Sequence, residues 1–205
     1  HSPSAEALWK PVRRVRISST WRRLVDRTLQ RVSARRPGWV DDSWWVGFGP
    51  QSDIHSIDTS GLTLLHNPRN GFFADPMPLA GSTDEFLVED YSFNSRRGRI
   101  SHLRFTEDGR VHLREGIIDE SFHLSFPMSF EFDRRTWVVC EAASTGATHL
   151  WEYWPASGRS LHVGPIIDRP LRDVAIFERC GTWYLLGTAA DPDWHLVLYE
   201  STNPL

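Results

Sequence analysis

Four carboxylates, Asp75, Asp90, Glu141 and Asp173, are the side chains of this 205-residue sequence best equipped for chemistry. Acidic groups converging in one pocket push one another's pKa values apart, leaving one protonated as an acid and another ionised as a base or nucleophile. That is the equipment of glycoside hydrolysis. The same groups can also hydrogen-bond the hydroxyls or amine of a sugar that is held and not cleaved. Asp75, Glu141 and Asp173 are the candidate catalytic residues, and Asp90, His123, Phe126 and Arg172 the candidate ligand contacts. His123 also carries a packing role, and Arg172 could pair with an acid. No His-x-Glu or Cys-x-x-Cys pattern marks a metal site, and no glycine-rich loop cradles a phosphate. A channel calcium would suit the carboxylates, but nothing demands it, so no cofactor is expected.

These residues gain meaning from the elements that must position them. From Trp44 onward, short apolar runs alternate with Gly, Pro, Asp and Asn, and the runs repeat. Phe72–Leu79, Glu85–Tyr91, Gly98–Phe105 and Val111–Asp119 are answered by Phe126–Phe132, Thr136–Ala142, Thr148–Trp154 and Leu161–Asp168. A third pass covers Asp173–Phe177, Thr182–Thr188 and Trp194–Ser201. Pro76-Met77 returns as Pro127-Met128, and Ile117-Ile118-Asp119 as Ile166-Ile167-Asp168. His102-Leu103 returns as His149-Leu150 and His195-Leu196, and Phe86 as Trp137 and Trp183.

One such unit is a small antiparallel sheet that cannot bury both faces alone. Stacking copies around an axis solves that problem, so the fold class is all-β, a β-propeller over residues 44–205 with three to four blades present. The first strand of each blade lines the channel. Asp75, Phe126 and Asp173 fall at matching places there, with Asp90, Glu141 and Gly187 matched on the second strand.

Residues 10–36 read differently, with a net charge of +9 against −12 for the rest. Val15, Trp21, Leu24, Val25, Leu29 and Val32 recur at helical spacing, which predicts a short basic helix within a linker over residues 1–43. Such a helix could touch an anionic membrane or nucleic acid, but the acidic body argues against nucleic acid as the main partner. No apolar run is long enough for a transmembrane helix. Two cysteines without metal spacing suit a reducing, cytoplasmic setting. Ten Trp and eleven Phe favour pleated surfaces, and exposed Trp would also suit sugar stacking.

His66-Asn67-Pro68 followed by Phe73-Ala74-Asp75-Pro76 resembles the opening of the five-bladed propeller glycosidases of glycoside hydrolase family 43, in which the Asp of such a step is the general base. A closer resemblance is to the N-terminal propeller domain of the glucosamine inositolphosphorylceramide transferases, a plant-type domain also found in bacterial proteins beside formyltransferase-like domains. It is carried by Trp45-Val46-Gly47, Phe73–Pro76, Phe86–Asp90, His123–Pro127, Val139-Cys140-Glu141 and Asp173 ahead of Gly181–Tyr184. The resemblance implies a five-bladed propeller in a bacterial glycan-modifying protein, with a carbohydrate ligand, a catalytic domain upstream and further blades downstream. Phe126 stands where the hydrolases carry an acid, and Leu171-Arg172-Asp173-Val174 lacks a Glu-Gly-Pro step. These departures favour a domain that binds or presents an amino sugar or glycolipid headgroup. The alternative is a hydrolase with Asp75 as base or nucleophile and Glu141 as acid. A protein–protein interaction propeller would need no carboxylates in the channel.

Overall fold

The computed structural model describes residues 10–16, 44–49, 62–106, 108–190 and 193–205. Gly71–Pro78 (β4), Glu85–Ser92 (β5), Arg97–Phe105 (β6) and Val111–Ile118 (β7) form a four-stranded antiparallel sheet in chain order. Ser125–Phe132 (β8), Arg135–Glu141 (β9), Thr148–Trp154 (β10) and Arg159–Ile167 (β11) form a second in the same order. Arg172–Arg179 (β12), Thr182–Ala189 (β13) and His195–Ser201 (β14) make three strands of a third. Gly47–Phe48 (β2) pairs with Thr63–Leu64 (β3) as a separate short ribbon. The first strands β4, β8 and β12 lie side by side. This is a partial β-propeller: three complete blades and a two-stranded fragment beside the first.

The third blade takes its fourth strand from an unexpected place. Lys10–Arg16 (β1) pairs antiparallel with β14, from Lys10 opposite Glu200 to Arg16 opposite His195. The helix expected in the basic segment is therefore corrected for these residues, and its remainder, residues 17–43, lies outside the described residues. Helical spacing lost because β14 offered an unpaired edge, and tertiary pairing overrides weak propensity. Pro11 lacks an N–H and is tolerated on an outermost strand; the register shifts just after it.

Period-two alternation explains why the blades stack. In β9, Val138 and Cys140 join Leu79, Leu87, Ile100, Ile118 and Trp151 between blades one and two. Trp137 and Val139 point the other way, joining Phe130, Leu150, Leu171, Ile176 and Leu185 between blades two and three. On the far side of blade one, Phe73, Val88 and Leu103 pack with Val46, beside β2. Each fully buried Val, Leu or Ile contributes about 1.5–3 kcal/mol, so a strand buried on both faces holds two neighbours at once. A polar pin adds to the first interface: Ser129 Oγ accepts from Ala80 N at 2.8 Å and donates to Pro78 O at 3.0 Å. Among the described residues no helix is long and apolar enough to cross a membrane.

Candidate functional site

Each innermost strand is broken at one equivalent place. The ladder skips between Ala74 and Met77 in β4, between Ser125 and Met128 in β8, and between Arg172 and Ala175 in β12. The first residue of each gap is left-handed without being glycine: Asp75 at φ 48°, Phe126 at φ 48° and Asp173 at φ 49°. Such a conformation costs an L-residue about 1–2 kcal/mol, and a bulge of this kind re-aims a side chain and frees a backbone N–H. Pro76 and Pro127 follow two of the bulges, where no ladder donor is needed. The match of Asp75, Phe126 and Asp173 drawn from the repeat is thus reproduced by their backbone.

The freed donors are taken by carboxylates of the preceding blade. Phe126 N donates to Asp75 Oδ2 at 3.2 Å, and Asp173 N donates to the carboxylate of Glu141. Burial pushes the carboxyl of Asp75 up, opposed by the Phe126 hydrogen bond and aided by the charge of Asp173. Glu141 is likewise raised, chiefly by burial, while Arg172 pulls it down; Arg172 Nε stands 3.7 Å from Glu141 Oε1. The Arg172 guanidinium also lies 5.0 Å from the ring centre of Trp194, an indole 48% exposed.

A fourth acid belongs to this group. Glu89, 6% exposed on β5, is pushed up to about 8, first by burial and then by the charges of Asp75 and Glu141. Its protonated carboxyl hydrogen-bonds to Asp75, which lowers Asp75 in turn. His123 completes the arrangement. Gly98 N donates to its Nδ1 at 2.8 Å, so the neutral ring carries its proton on Nε2, which stands 3.8 Å from Glu89 Oε1. Burial holds His123 below the usual imidazole range, the charge of Asp75 acting against it.

Asp90 is not part of the cluster. Glu89 is the residue opposite Ala74, as Glu141 is opposite Ser125 and Thr188 opposite Arg172. The repeat read from the sequence runs one residue late on β5, and a one-residue shift sends a side chain to the other face. Asp90 instead accepts from Arg99 Nε and Ser101 Oγ, both at 2.9 Å, as a buried structural acid. The available signal was the match of Leu87-Val88-Glu89 with Val139-Cys140-Glu141.

The structure therefore brings Asp75, Glu141, Asp173, Phe126 and Arg172 together on the first two strands of the blades, with His123 from the loop before β8, adds Glu89, and leaves Asp90 apart. Among the described residues no set of three or more His, Cys, Asp or Glu is arranged to hold a metal ion. What this defines is a partial β-propeller whose inner strands carry an acidic cluster flanked by one imidazole, one guanidinium and an exposed indole. The chain is similar to glucosamine inositolphosphorylceramide transferase 1 of Arabidopsis thaliana, 28% identical over 187 residues that cover 87% of this chain and 23% of that protein. It is 24% identical over 143 residues to the protein of the same name from Oryza sativa subsp. japonica, covering 66% of this chain and 19% of the relative. The resemblance read from the motifs is borne out for these transferases, which are plant proteins. The chain spans less than a quarter of the length of these curated relatives. No family model matches it.

Proposed function

We propose that this propeller binds or presents a saccharide, an amino sugar or glycolipid headgroup, at the inner-strand cluster of a larger glycan-modifying protein. The observation that carries the reading is Glu89. Capping the bulges requires only Asp75 and Glu141, yet a further buried acid is kept protonated among them at a pKa of about 8. The cluster then offers carboxylate acceptors on Asp75, Glu141 and Asp173 and donors on His123 Nε2 and Arg172, while the Glu89 proton is shared with Asp75. Mixed donors and acceptors suit hydroxyls, and the excess of acid over base suits a sugar ammonium. The exposed face of Trp194 beside Arg172 suits a pyranose ring. The names of the relatives support a glycan-related role.

Hydrolysis is the weaker reading. Asp75 and Glu89 are hydrogen-bonded to each other, closer than the roughly 5 Å that separates an acid from a nucleophile across a glycosidic bond. Burial raises Glu141, but its carboxylate accepts from Asp173 N and faces Arg172 Nε at 3.7 Å, contacts that work against the proton a general acid must hold.

Calorimetric titration of the full chain with glucosamine, N-acetylglucosamine and glucose tests the proposal, alongside Asp75→Asn and Glu141→Gln. The amine should bind most tightly, and each variant should lose about tenfold or more, the effect of one charged hydrogen bond. Unchanged affinity in both variants removes the cluster as the site. Turnover of chromogenic glycosides that collapses in either folded variant establishes the hydrolase instead.

A further inference from the structure

The outer strands carry a second polar groove, of about 720 Å³, between blades one and two. Glu85, His102, Arg104, Leu113, Arg114 and Pro155 line it, and none of them belongs to an innermost strand. Its floor contains an anomaly. His102 is 5% exposed, and its Nε2 has no hydrogen-bond partner. Leaving a buried donor or acceptor unmade costs about 1–3 kcal/mol.

The protonation of that atom follows from its neighbours. The Tyr153 hydroxyl lies 2.7 Å from His102 Nδ1. Its phenol is pushed up to about 12, chiefly by burial, and accepts a hydrogen bond from Arg114. With its oxygen so engaged, the hydroxyl donates to Nδ1. Burial holds the imidazole neutral, with Arg114 and Arg104 acting against protonation and Glu85 for it. The ring proton therefore sits on Nε2, buried just beneath the groove that His102 lines, with Glu85 Oε1 3.7 Å away, beyond a hydrogen bond. Arg114 is held across the blades by donating Nη1 to Pro155 O at 2.6 Å. Arg104 is 61% exposed and only loosely held, its Nε 3.6 Å from Asp84 and 3.8 Å from Glu85.

We infer that this groove is a second binding site, taking a hydroxyl-rich, saccharide-type ligand between His102, Glu85, Arg104 and Arg114. The pairing of an unmade donor with a carboxylate at 3.7 Å selects that chemistry. A hydroxyl can accept from His102 Nε2 and donate to Glu85 at once; a carboxylate or phosphodiester oxygen can only accept, and any of these anions would meet Glu85 as a like charge. The guanidinium groups supply donors to neighbouring hydroxyl oxygens. Leu113, 40% exposed, and Pro155 give an apolar wall for the C–H face of a ring.

Histidine-labelled protein of the full chain, followed through the ring nitrogens of His102 by long-range proton–nitrogen NMR, tests the site. The probes are methyl β-D-glucopyranoside, methyl α-D-mannopyranoside and inorganic phosphate. A glycoside should shift the His102 signals saturably, phosphate should not, and Glu85→Ala should weaken the response about tenfold or more. Arg104→Gln, at a largely exposed position, should weaken it as well. The inference is overturned by no saturable shift with either glycoside at tens of millimolar, by saturation with phosphate alone, or by a glycoside response that both variants leave intact.

Discussion

Replacing Glu89 by Gln should make this protein more stable at neutral pH, and the size of the gain follows from where the acid sits. Its carboxyl is raised from 4.5 to about 8 by burial and by the neighbouring charges of Asp75 and Glu141. Between those two pH values the folded chain holds a proton that the unfolded chain has released. Stability contributed by that proton is complete below the unfolded pKa and is lost as pH rises through the folded one. At pH 7 the loss is about 3 kcal/mol, and above pH 8 it approaches about 5 kcal/mol. Gln has no proton to lose, matches the shape of the neutral acid, and keeps an N–H donor for Asp75. Glu89→Gln should therefore unfold at higher urea than wild type at pH 7, with the difference vanishing towards pH 4. Urea titrations of both proteins from pH 4 to 8 read this directly. Parallel profiles, with a difference that does not change with pH, would refute the claim that Glu89 is held protonated.

Two further substitutions probe how the site and the blades are held. A methyl group at Gly98 would stand 2.3 Å from Leu124 O and 2.6 Å from Glu89 Oε1, so Gly98→Ala must displace backbone. It should lower stability by several kcal/mol, about the scale of severe overpacking, and release the His123 ring, seen as a rise in its NMR-measured pKa. Ser129→Ala removes the pin between Pro78 and Ala80 and leaves a donor and an acceptor unmade; about 1–3 kcal/mol should be lost in the urea midpoint.

The propeller was legible because two of the repeat markers are tied to geometry. Pro76 and Pro127 sit one place after the left-handed residues of matching bulges, and Ile118 and Ile167 pair with Ile100, which faces Glu89, and with Thr148, next to His149, which faces Cys140 beside Glu141. The other markers are coincidences of spelling. His102 lies opposite Leu87, His149 opposite Cys140 and His195 opposite Ala189, three different levels of their blades. Phe86, Trp137 and Trp183 likewise face Pro78, Phe130 and Glu178 at unequal distances from the bulges, and taking them as equivalent shifts the second strand, hides Glu89 and promotes Asp90. Periodicity reports which face a residue takes only once the register is known, and bulges change the register without leaving a gap in the text. The left-handed backbone at Phe126 had no signal at all, since an aromatic is a poor choice for it. Nor could local spacing show that Lys10–Arg16 would find its partner beyond three blades of sequence, at His195–Glu200.

That last pairing bears on how the protein is made. Blades one and two are built from hairpins between strands that follow one another, so each can close as soon as its own residues have left the ribosome. The third cannot. Its outermost strand is synthesised well before its neighbour, His195–Ser201, so Lys10 waits for Glu200 while the three blades between them are made. Loop closure over such a span is slow compared with local hairpin formation. During that interval β14 is either absent or carries an open edge, the period in which a growing chain is most exposed to pairing with another. Docking of the basic strand is then the event that ends it, a late step fastening a strand made before the blades to one made after most of them.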